Sequence, residues 1–245
     1  MESKKPSLER LEEIAKHHLA PPAAHMVDVK VQYYDVLKML PYVVGDRVLE
    51  MGYGDGMWTK NIIERYGHTY LVDASRSFLT TVKNKYADKV TCFESYYEEF
   101  TPPDTMKFNT VIASHVLEHI YDPVSVLRRA KGWIAEKGRM IIVVPNAESL
   151  HRELAVVMGI QKKIYDLSES DNQVGHVRVY DLNQLRSHVA EAGYRIIVER
   201  GLFLKTLPNG MMTNYKDELI KAMVDISDKL PANLMANIAL VVEVM

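Results

Sequence analysis

Short β-rich runs alternate with helix-like segments over residues 47–146 of this chain. Several of the runs are apolar at consecutive positions, which is typical of strands that are covered on both faces of a sheet. Strands that are joined by helices in this order predict an α/β fold with a doubly wound, mostly parallel sheet. The runs are RVLEMG, TYLVD, VTCFE, FNTVIAS and GRMIIVVPN, and the helix-like segments begin at Trp58, at Ser75 and at Asp122-Pro123.

Two helices and one long polar segment flank this alternation. A first helix is predicted from about Ser7, which can cap it, to the helix-breaking Ala20-Pro21-Pro22, and a second over about Val27 to Leu40. We expect these helices, within residues 1–42, to form an N-terminal cover. The segment of residues 147–180 is too long to be a simple connection, and its length predicts a lid-like insertion.

The C-terminal part returns to regular structure. A helix is predicted with Leu182, Leu185 and Val189 on one face and Gly193 as its stop. The run YRIIVER, another helix and the run ANIALVVEVM follow. The last two runs can form an antiparallel pair at the sheet edge, and we expect one domain over residues 1–245.

The charge balance limits the partners of the chain. It has 30 basic and 32 acidic residues and a formal net charge of −2, so no net positive field attracts nucleic acid or an anionic membrane. We expect a small-molecule partner, and a homodimer is compatible with the sequence. Cys92 is the only cysteine, which excludes an intramolecular disulfide. No signal-peptide or membrane-length apolar run is found, and a cytoplasmic location is predicted.

A glycine-rich turn follows the first predicted strand, in the pattern Glu50-x-Gly52-x-Gly54-x-Gly56. Glycines here let the backbone turn sharply and let a ligand approach main-chain N–H groups. A dinucleotide site would need a small residue where Met57 stands, and an acid before the turn would repel phosphates, so the pattern favours a cationic ligand. Asp73 ends the second strand and can accept hydrogen bonds from a ribose diol, or it can cap the helix that begins near Ser75.

The glycine-rich turn, Asp73, the segment FNTVIASHVLEHIYDP and the strand GRMIIVVPN resemble the motifs of class I S-adenosylmethionine-dependent methyltransferases. The resemblance is strongest to the members of this family that methylate small molecules. The resemblance covers about residues 43–194. It implies a Rossmann-like doubly wound, mostly parallel sheet with an antiparallel closing strand. It also implies S-adenosylmethionine as the cofactor.

The resemblance assigns the parts of that cofactor to particular residues. Its methionine end is expected at the glycine loop and after the fourth strand, its ribose at Asp73 and its adenine after the third strand. This chain departs from the family's pattern at the adenine end, where the family commonly has an acid and this chain has Ser95 and Tyr96. The cofactor-binding residues implied in this way are Glu50, Gly52, Tyr53, Gly54, Gly56, Asp73, Ser95, Tyr96, Ser114 and His115.

The stretch His115 to His119 reads H-x-x-E-H, which is the zinc-ligand spacing of one metallopeptidase class. Zinc would require both histidines on one helical face and a third converging ligand. The preceding run NTVIAS is β-rich, and Asp122-Pro123 starts a new helix three residues later. This leaves a strand end and a short turn, so no metal is predicted.

Methylation of a hydroxyl requires a base, and histidine has the best-matched pKa near neutrality. His119 and His176 are the candidate catalytic residues, and His151 is a weaker one. Each has a structural alternative: a hydrogen bond that holds the turn for His119, an exposed loop for His176 and a surface helix for His151. The function predicted is methyl transfer to a small molecule, with oxygen favoured over an amine nitrogen. A non-catalytic cofactor-binding scaffold is the alternative from another class.

The N-terminal helices carry two further patterns. Gln32, Tyr33 and Tyr34 could close over the cofactor, although packing against the sheet is the stronger expectation. The pair His17-His18 is expected on a solvated helix face.

Overall fold

The computed structural model describes residues 5–20 and 25–245, with the side chain of His25 left out. The strands are β1 (Val48–Met51), β2 (Thr69–Asp73), β3 (Val90–Glu94), β4 (Phe108–Ser114), β5 (Ile134–Pro145), β6 (Tyr194–Leu202) and β7 (Asn237–Val244). The helices are α1 (Leu8–Leu19), α2 (His25–Met39), α3 (Met57–Tyr66), α4 (Arg76–Tyr86), α5 (Pro123–Lys131), α6 (Leu150–Val157), α7 (Glu169–Val174), α8 (Leu182–Glu191), α9 (Asn209–Met212) and α10 (Asp217–Ile226).

The seven strands form one sheet in the order β3-β2-β1-β4-β5-β7-β6. Strands β1 to β5 pair in parallel, and β7 pairs antiparallel with both β5 and β6. The predicted Rossmann-like, mostly parallel sheet with an antiparallel closing strand is confirmed. The strand order reverses between β1 and β4, and ligands of such sheets bind in the crevice at the carboxyl ends of the strands on either side of this point.

Helices cover both faces of the sheet, and alternate residues of the central strands point to opposite layers. Leu49, Val111 and Ile142 pack in the same cluster as Leu127 of α5 and Leu185 of α8. Their neighbours in the sequence pack against the other layer, which includes residues of α2 and α3: Val48, Ile112 and Ile141. Burial on both faces explains the continuous apolar runs in the sequence.

The N-terminal helices begin and end close to where the sequence predicts them. Ser7 caps α1, where its side chain accepts a hydrogen bond of 3.2 Å from the backbone N–H of Arg10. Ala20 is the residue that follows α1, while Pro21 and Pro22 lie outside the described residues. Helix α2 starts two residues earlier than predicted, at His25, and gives way at Leu40 to a 3₁₀ turn that runs to Tyr42.

Residues 147–180, predicted as an insertion, have helical structure of their own. They contain α6 and α7, and a backbone bridge between Asn146 and Tyr180 brings the two ends of the segment together. Ser168 and Asp171 form a reciprocal capping box at the start of α7. The segment is therefore pinned internally, and its action as a lid stays a prediction.

Within the residues that the structure describes, every helix is too short or too polar to cross a membrane.

Candidate active site

A cavity of about 840 Å³ opens at the carboxyl ends of β1, β2 and β4. Its wall includes the loop between β1 and α3, the end of β4, residues of α1 and residues of the 147–180 segment. A volume of this size is in the range of sites that hold a cofactor-sized ligand. Because it opens at these strand ends, the cavity lies in the crevice that the reversal of strand order between β1 and β4 creates.

The floor of the cavity is the glycine loop, where two glycines are required by close approaches. Gly52 has a φ of 78°, and a Cβ atom there would lie 2.8 Å from the hydroxyl oxygen of Tyr97. Gly56 has a φ of 71°, and a Cβ atom there would lie 2.7 Å from the ring of Tyr53. Larger residues would be strained and would push aromatic side chains out of place.

Asp73 ties this loop to the end of β2. Its carboxylate accepts a 3.0 Å hydrogen bond from the backbone N–H of Tyr53 and a 2.8 Å one from that of Ser75. The cap of α4 is the hydroxyl of Ser75, which accepts from the N–H of Phe78, so the capping alternative for Asp73 is wrong. Each carboxylate oxygen keeps capacity for a further hydrogen bond from a ligand. Burial raises the pKa of Asp73 to about 6.

Glu50 is a second buried carboxyl group on the cavity wall. It is 3% exposed and accepts a hydrogen bond from the hydroxyl of Thr59. Burial raises the pKa of Glu50 to about 8, and the negative charge of Asp73 adds to this effect. A cation near Glu50 would relieve the cost of ionising it, so this end of the cavity favours a positively charged ligand.

At the end of β4 the backbone turns sharply into the segment His115–His119. Ser114 and His115 line the cavity, and His115 has a φ of 54°, which is unusual for a residue other than glycine. Residues Leu117–His119 form a single 3₁₀ turn, and α5 starts at Pro123. The predicted strand end and short turn are confirmed, so His115 and His119 do not share the helix that a metallopeptidase zinc site requires.

Glu118 is the central residue of this turn, and its fully buried side chain lies next to two imidazole rings. Its Oε1 atom is 3.4 Å from Nδ1 of His115 and 3.8 Å from Nε2 of His176. Among the described residues, neither of its oxygens has a hydrogen-bond partner of good geometry. Burial opposes ionisation, but the neighbouring histidines hold the pKa of Glu118 below its ordinary value, while Glu118 raises the pKa of His115.

His119 and His176 form an edge-to-face pair with ring centroids 4.8 Å apart, and both line the cavity. Nδ1 of His119 is 3.2 Å from the carbonyl oxygen of Gly175. A carbonyl only accepts, so Nδ1–H donates, and Nε2 of neutral His119 carries the lone pair. Burial, reinforced by His176, lowers the pKa of His119 to about 4.

His176 is oriented by a buried ion pair. Its Nδ1 atom lies 2.8 Å from Oδ1 of Asp171, whose other oxygen accepts from Arg152. Burial works against the charge on Asp171, but the bonds from His176 and Arg152 hold its pKa far below its usual range. A neutral His176 therefore donates from Nδ1 and presents Nε2 on the opposite side, toward Glu118.

Residues 15–199 match the family model described as "Methyltransferase domain", which is well over half of the chain. The chain belongs to this methyltransferase family. The class I S-adenosylmethionine-dependent methyltransferase predicted from the motifs is thereby confirmed.

One curated relative of this methyltransferase is an uncharacterized methyltransferase of Geobacillus sp. (strain WCH70), 26% identical over 121 residues. The match covers 49% of this chain and 56% of that protein, so the chain spans only about half the length of this relative.

Solved structures resemble the methyltransferase over nearly its whole length. The CcbJ methyltransferase of Streptomyces caelestis has a TM-score of 0.63 at 12% identity, with 96% of this chain and 97% of that one covered. An S-adenosylmethionine-dependent methyltransferase of Mesorhizobium loti has a TM-score of 0.62 at 14% identity (88% and 99% covered). N-methyltransferase NodS of Bradyrhizobium japonicum, in complex with S-adenosylhomocysteine, has 0.59 at 9% (95% and 97% covered). At these identities the likeness shows the fold alone.

The cavity of this chain contains most of the residues that the sequence singled out. Glycine loop, Asp73 and the histidine pair surround one space although they are distant in the sequence. The predicted residues that line it are Glu50, Gly52, Tyr53, Gly54, Gly56, Asp73, Ser114, His115, His119 and His176. Their individual roles stay predictions.

The assignment for the adenine end needs correction. Ser95 and Tyr96 are not among the described residues that line the cavity, whereas the next residue, Tyr97, is. The hydroxyl of Tyr96 instead donates to the carbonyl oxygen of Pro6, 3.1 Å away, just before α1. Strand β3 ends at Glu94, and which of the next three side chains turns inward depends on a loop conformation that no pattern encodes.

The N-terminal cover also differs in detail from the prediction. His18 was expected on a solvated face, but its side chain is only 14% exposed and its Nδ1 lies 3.0 Å from Asp55 in the glycine loop. Of the three residues considered as a cover, Gln32 lines the cavity, Tyr34 packs in the core and Tyr33 is 39% exposed. The contacts of α1 with α4 and α7 explain this burial, because they hold α1 against the cavity that several of its residues line.

His151, the weaker candidate base, also lines the cavity. Its exposure is intermediate, and burial lowers its pKa well below the ordinary value. The surface-helix alternative is therefore wrong for this residue. The cation of Lys205 further disfavours its protonation.

Proposed function

We propose that this methyltransferase transfers the methyl group of S-adenosylmethionine to a hydroxyl oxygen of a small molecule. One observation carries the proposal: a single cavity joins two buried carboxyls beside a glycine loop to a pair of imidazoles with defined tautomers. The first group suits a cationic nucleoside and the second suits an acceptor that must lose a proton.

The side of the cavity at the glycine loop has the charge and the hydrogen-bond acceptors that the cofactor needs. S-adenosylmethionine carries a sulfonium and an ammonium group, and Glu50 is the acidic side chain whose ionisation a nearby cation favours. Asp73 has remaining acceptor capacity at the position where the ribose hydroxyls would lie. Tyr97, rather than Ser95 or Tyr96, is proposed to contact the adenine. Family membership and the S-adenosylhomocysteine complex of the NodS relative support the same cofactor.

The chemistry requires alignment and the removal of one proton. The acceptor oxygen attacks the methyl carbon as the bond from that carbon to sulfur breaks, and the positive charge on sulfur disappears. The protein mainly has to hold these atoms in line and exclude water. His119 and His176 both line the cavity, and their Nδ1 contacts leave Nε2 of each neutral ring as the proton acceptor, so either can take the hydroxyl proton.

An amine acceptor is the second candidate. The N-methyltransferase NodS shares the fold over nearly its full length, and an amine can be methylated without a dedicated base. We still favour oxygen, because a hydroxyl needs a base such as a buried imidazole with a fixed tautomer, whereas a neutral amine does not. The net charge of −2 supports a small acceptor rather than a nucleic acid.

The test is mass spectrometry of a metabolite extract incubated with the protein and methyl-labelled S-adenosylmethionine. We expect one labelled product with the label on oxygen, and markedly less of it when Asp73→Ala replaces the wild type at a cofactor concentration that just saturates the wild type. A label on nitrogen would move the assignment to the amine. Cofactor binding without formation of S-adenosylhomocysteine from any acceptor pool would make the protein a scaffold and overturn the proposal.

A further inference from the structure

We propose that Glu118, His119 and His176 bind one divalent transition-metal ion such as Zn²⁺ on the wall of the cavity. This goes beyond the proposed methyl transfer and does not depend on it. One ligand atom from each of the three side chains lies within 4.8 Å of the others. His115, which shares the H-x-x-E-H spacing, is not in this group, so the site differs from the one that the spacing suggested.

The buried carboxylate is the first observation that points to a cation. Glu118 is 0% exposed, and both of its oxygens lack a hydrogen-bond partner among the described residues. A buried carboxyl group without partners is costly, and proteins satisfy such groups by ion pairs or metal coordination. The nearest nitrogen of His115 is 3.4 Å from Oε1, which is too long for a strong charge-assisted hydrogen bond.

The second observation is the way in which the two imidazoles are held. His176 has Nδ1 against the carboxylate of Asp171 at 2.8 Å, and His119 has Nδ1 against the carbonyl oxygen of Gly175 at 3.2 Å. Metal-binding histidines characteristically donate their other N–H to a carboxylate or a backbone carbonyl, which fixes the tautomer and leaves a lone pair for the ion. Both partners are present here, on one turn of the 147–180 segment.

Two histidine nitrogens and one carboxylate oxygen are a ligand set that suits zinc and related divalent ions. Because the protein supplies three ligands, at least one coordination position stays open. His119 and His176 line the cavity, so this position would face the acceptor. An ion there would lower the pKa of a bound hydroxyl, which is an alternative to proton removal by an imidazole.

Metal binding is tested directly, without cofactor or acceptor. Chelator-treated protein is titrated with Zn²⁺ against a chromophoric competitor and with Co²⁺ by visible absorption. We expect one ion per chain with tetrahedral or five-coordinate cobalt absorption. Glu118→Gln and His176→Ala should weaken binding at least about 100-fold, and Asp171→Asn about 10- to 100-fold through loss of the support for His176.

His151→Ala is the matched control, because His151 lines the same cavity but lies outside the three-residue group. It should keep wild-type metal affinity. Circular dichroism and cofactor binding establish that each variant is folded. Wild-type protein that takes up no more ion than Glu118→Gln, or cobalt absorption that is unchanged by His176→Ala, would overturn the metal site. Either result leaves the test of methyl transfer unchanged, but an ion bound here would occupy the nitrogens of His119 and His176 and would replace them as the means of removing the acceptor proton.

Discussion

At the scale of single residues, the site is a set of buried carboxyls and imidazoles whose partners determine what each can do. The glycine loop and Asp73 could be predicted from the sequence, because each is fixed by its position at a strand end. Tyr97 and the pair His18–Asp55 could not be predicted. The first depends on the conformation of a loop, and the second depends on how α1 packs across residues that are 37 positions away.

Asp73→Ala is expected to weaken binding of S-adenosylmethionine by about 1.5 to 3 kcal/mol, the range for a lost charge-assisted hydrogen bond. The substitution also removes the acceptor for the N–H of Tyr53, so the glycine loop loosens. Titration calorimetry measures the change. Glu94→Ala, at the exposed end of the neighbouring strand, is the control and should bind normally. Unchanged affinity in Asp73→Ala would remove this residue from the ribose site.

The pH dependence of cofactor binding tests Glu50. Burial raises its pKa to about 8, so the free protein holds the carboxyl protonated below that pH. A cationic cofactor favours the ionised form, so binding releases a proton, and affinity should rise with pH up to about 8 by as much as about tenfold per pH unit. Calorimetry in buffers of different ionisation enthalpy counts the proton.

Glu50→Gln is the control for this prediction, because it cannot ionise while its shape is kept. The proton release between about pH 6 and pH 8, and the associated slope, should disappear in this variant. What remains is titration of Asp73, whose pKa burial raises to about 6, and of the cofactor's own amino group, whose ordinary pKa is about 8. An identical pH profile in Glu50→Gln and wild type would show that Glu50 does not sense the charge of the ligand.

At the scale of elements, the 147–180 segment is the part of the fold whose secondary structure was least predictable from the sequence. The end of the strand and helix alternation after β5 could be predicted from the sequence, while the role of the segment as an insertion stays a prediction. The internal structure of the segment could not be predicted, because it depends on side-chain contacts that no periodic pattern in the sequence indicates. Arg152 of α6 donates to the carbonyl oxygens of Ile164 and Asp166 and to the carboxylate of Asp171.

Arg152→Ala should therefore loosen the whole segment. It leaves Asp171 buried without its ionic partner, which costs about 3 to 5 kcal/mol of folding stability. We expect a lower melting temperature and faster amide hydrogen exchange across residues 162–176. Arg186→Ala is the control: its pair with Glu199 is solvent-exposed and is worth at most about 1 kcal/mol. Equal losses in the two variants would contradict the role of Arg152.

At the scale of the whole molecule, the order of the elements was readable because parallel strands that are covered on both faces carry uninterrupted apolar runs. The parallel pairing of β1 to β5 agrees with that expectation, and the antiparallel β7 agrees with what the family resemblance implied. The meeting of His119 with His176, 57 residues apart, was not readable from the pattern. Both were candidates individually, but only the three-dimensional fold brings their rings to 4.8 Å.

The central claim is that one cavity binds S-adenosylmethionine at the glycine loop with its methyl group directed toward the histidine pair. A crystal structure of the protein with S-adenosylhomocysteine tests this most directly. We predict the ribose hydroxyls within hydrogen-bond distance of Asp73, the amino group near Glu50 and the sulfur facing the side of the cavity lined by His119. A nucleoside bound elsewhere, or a cavity that stays without ligand at saturating concentration, would contradict the account.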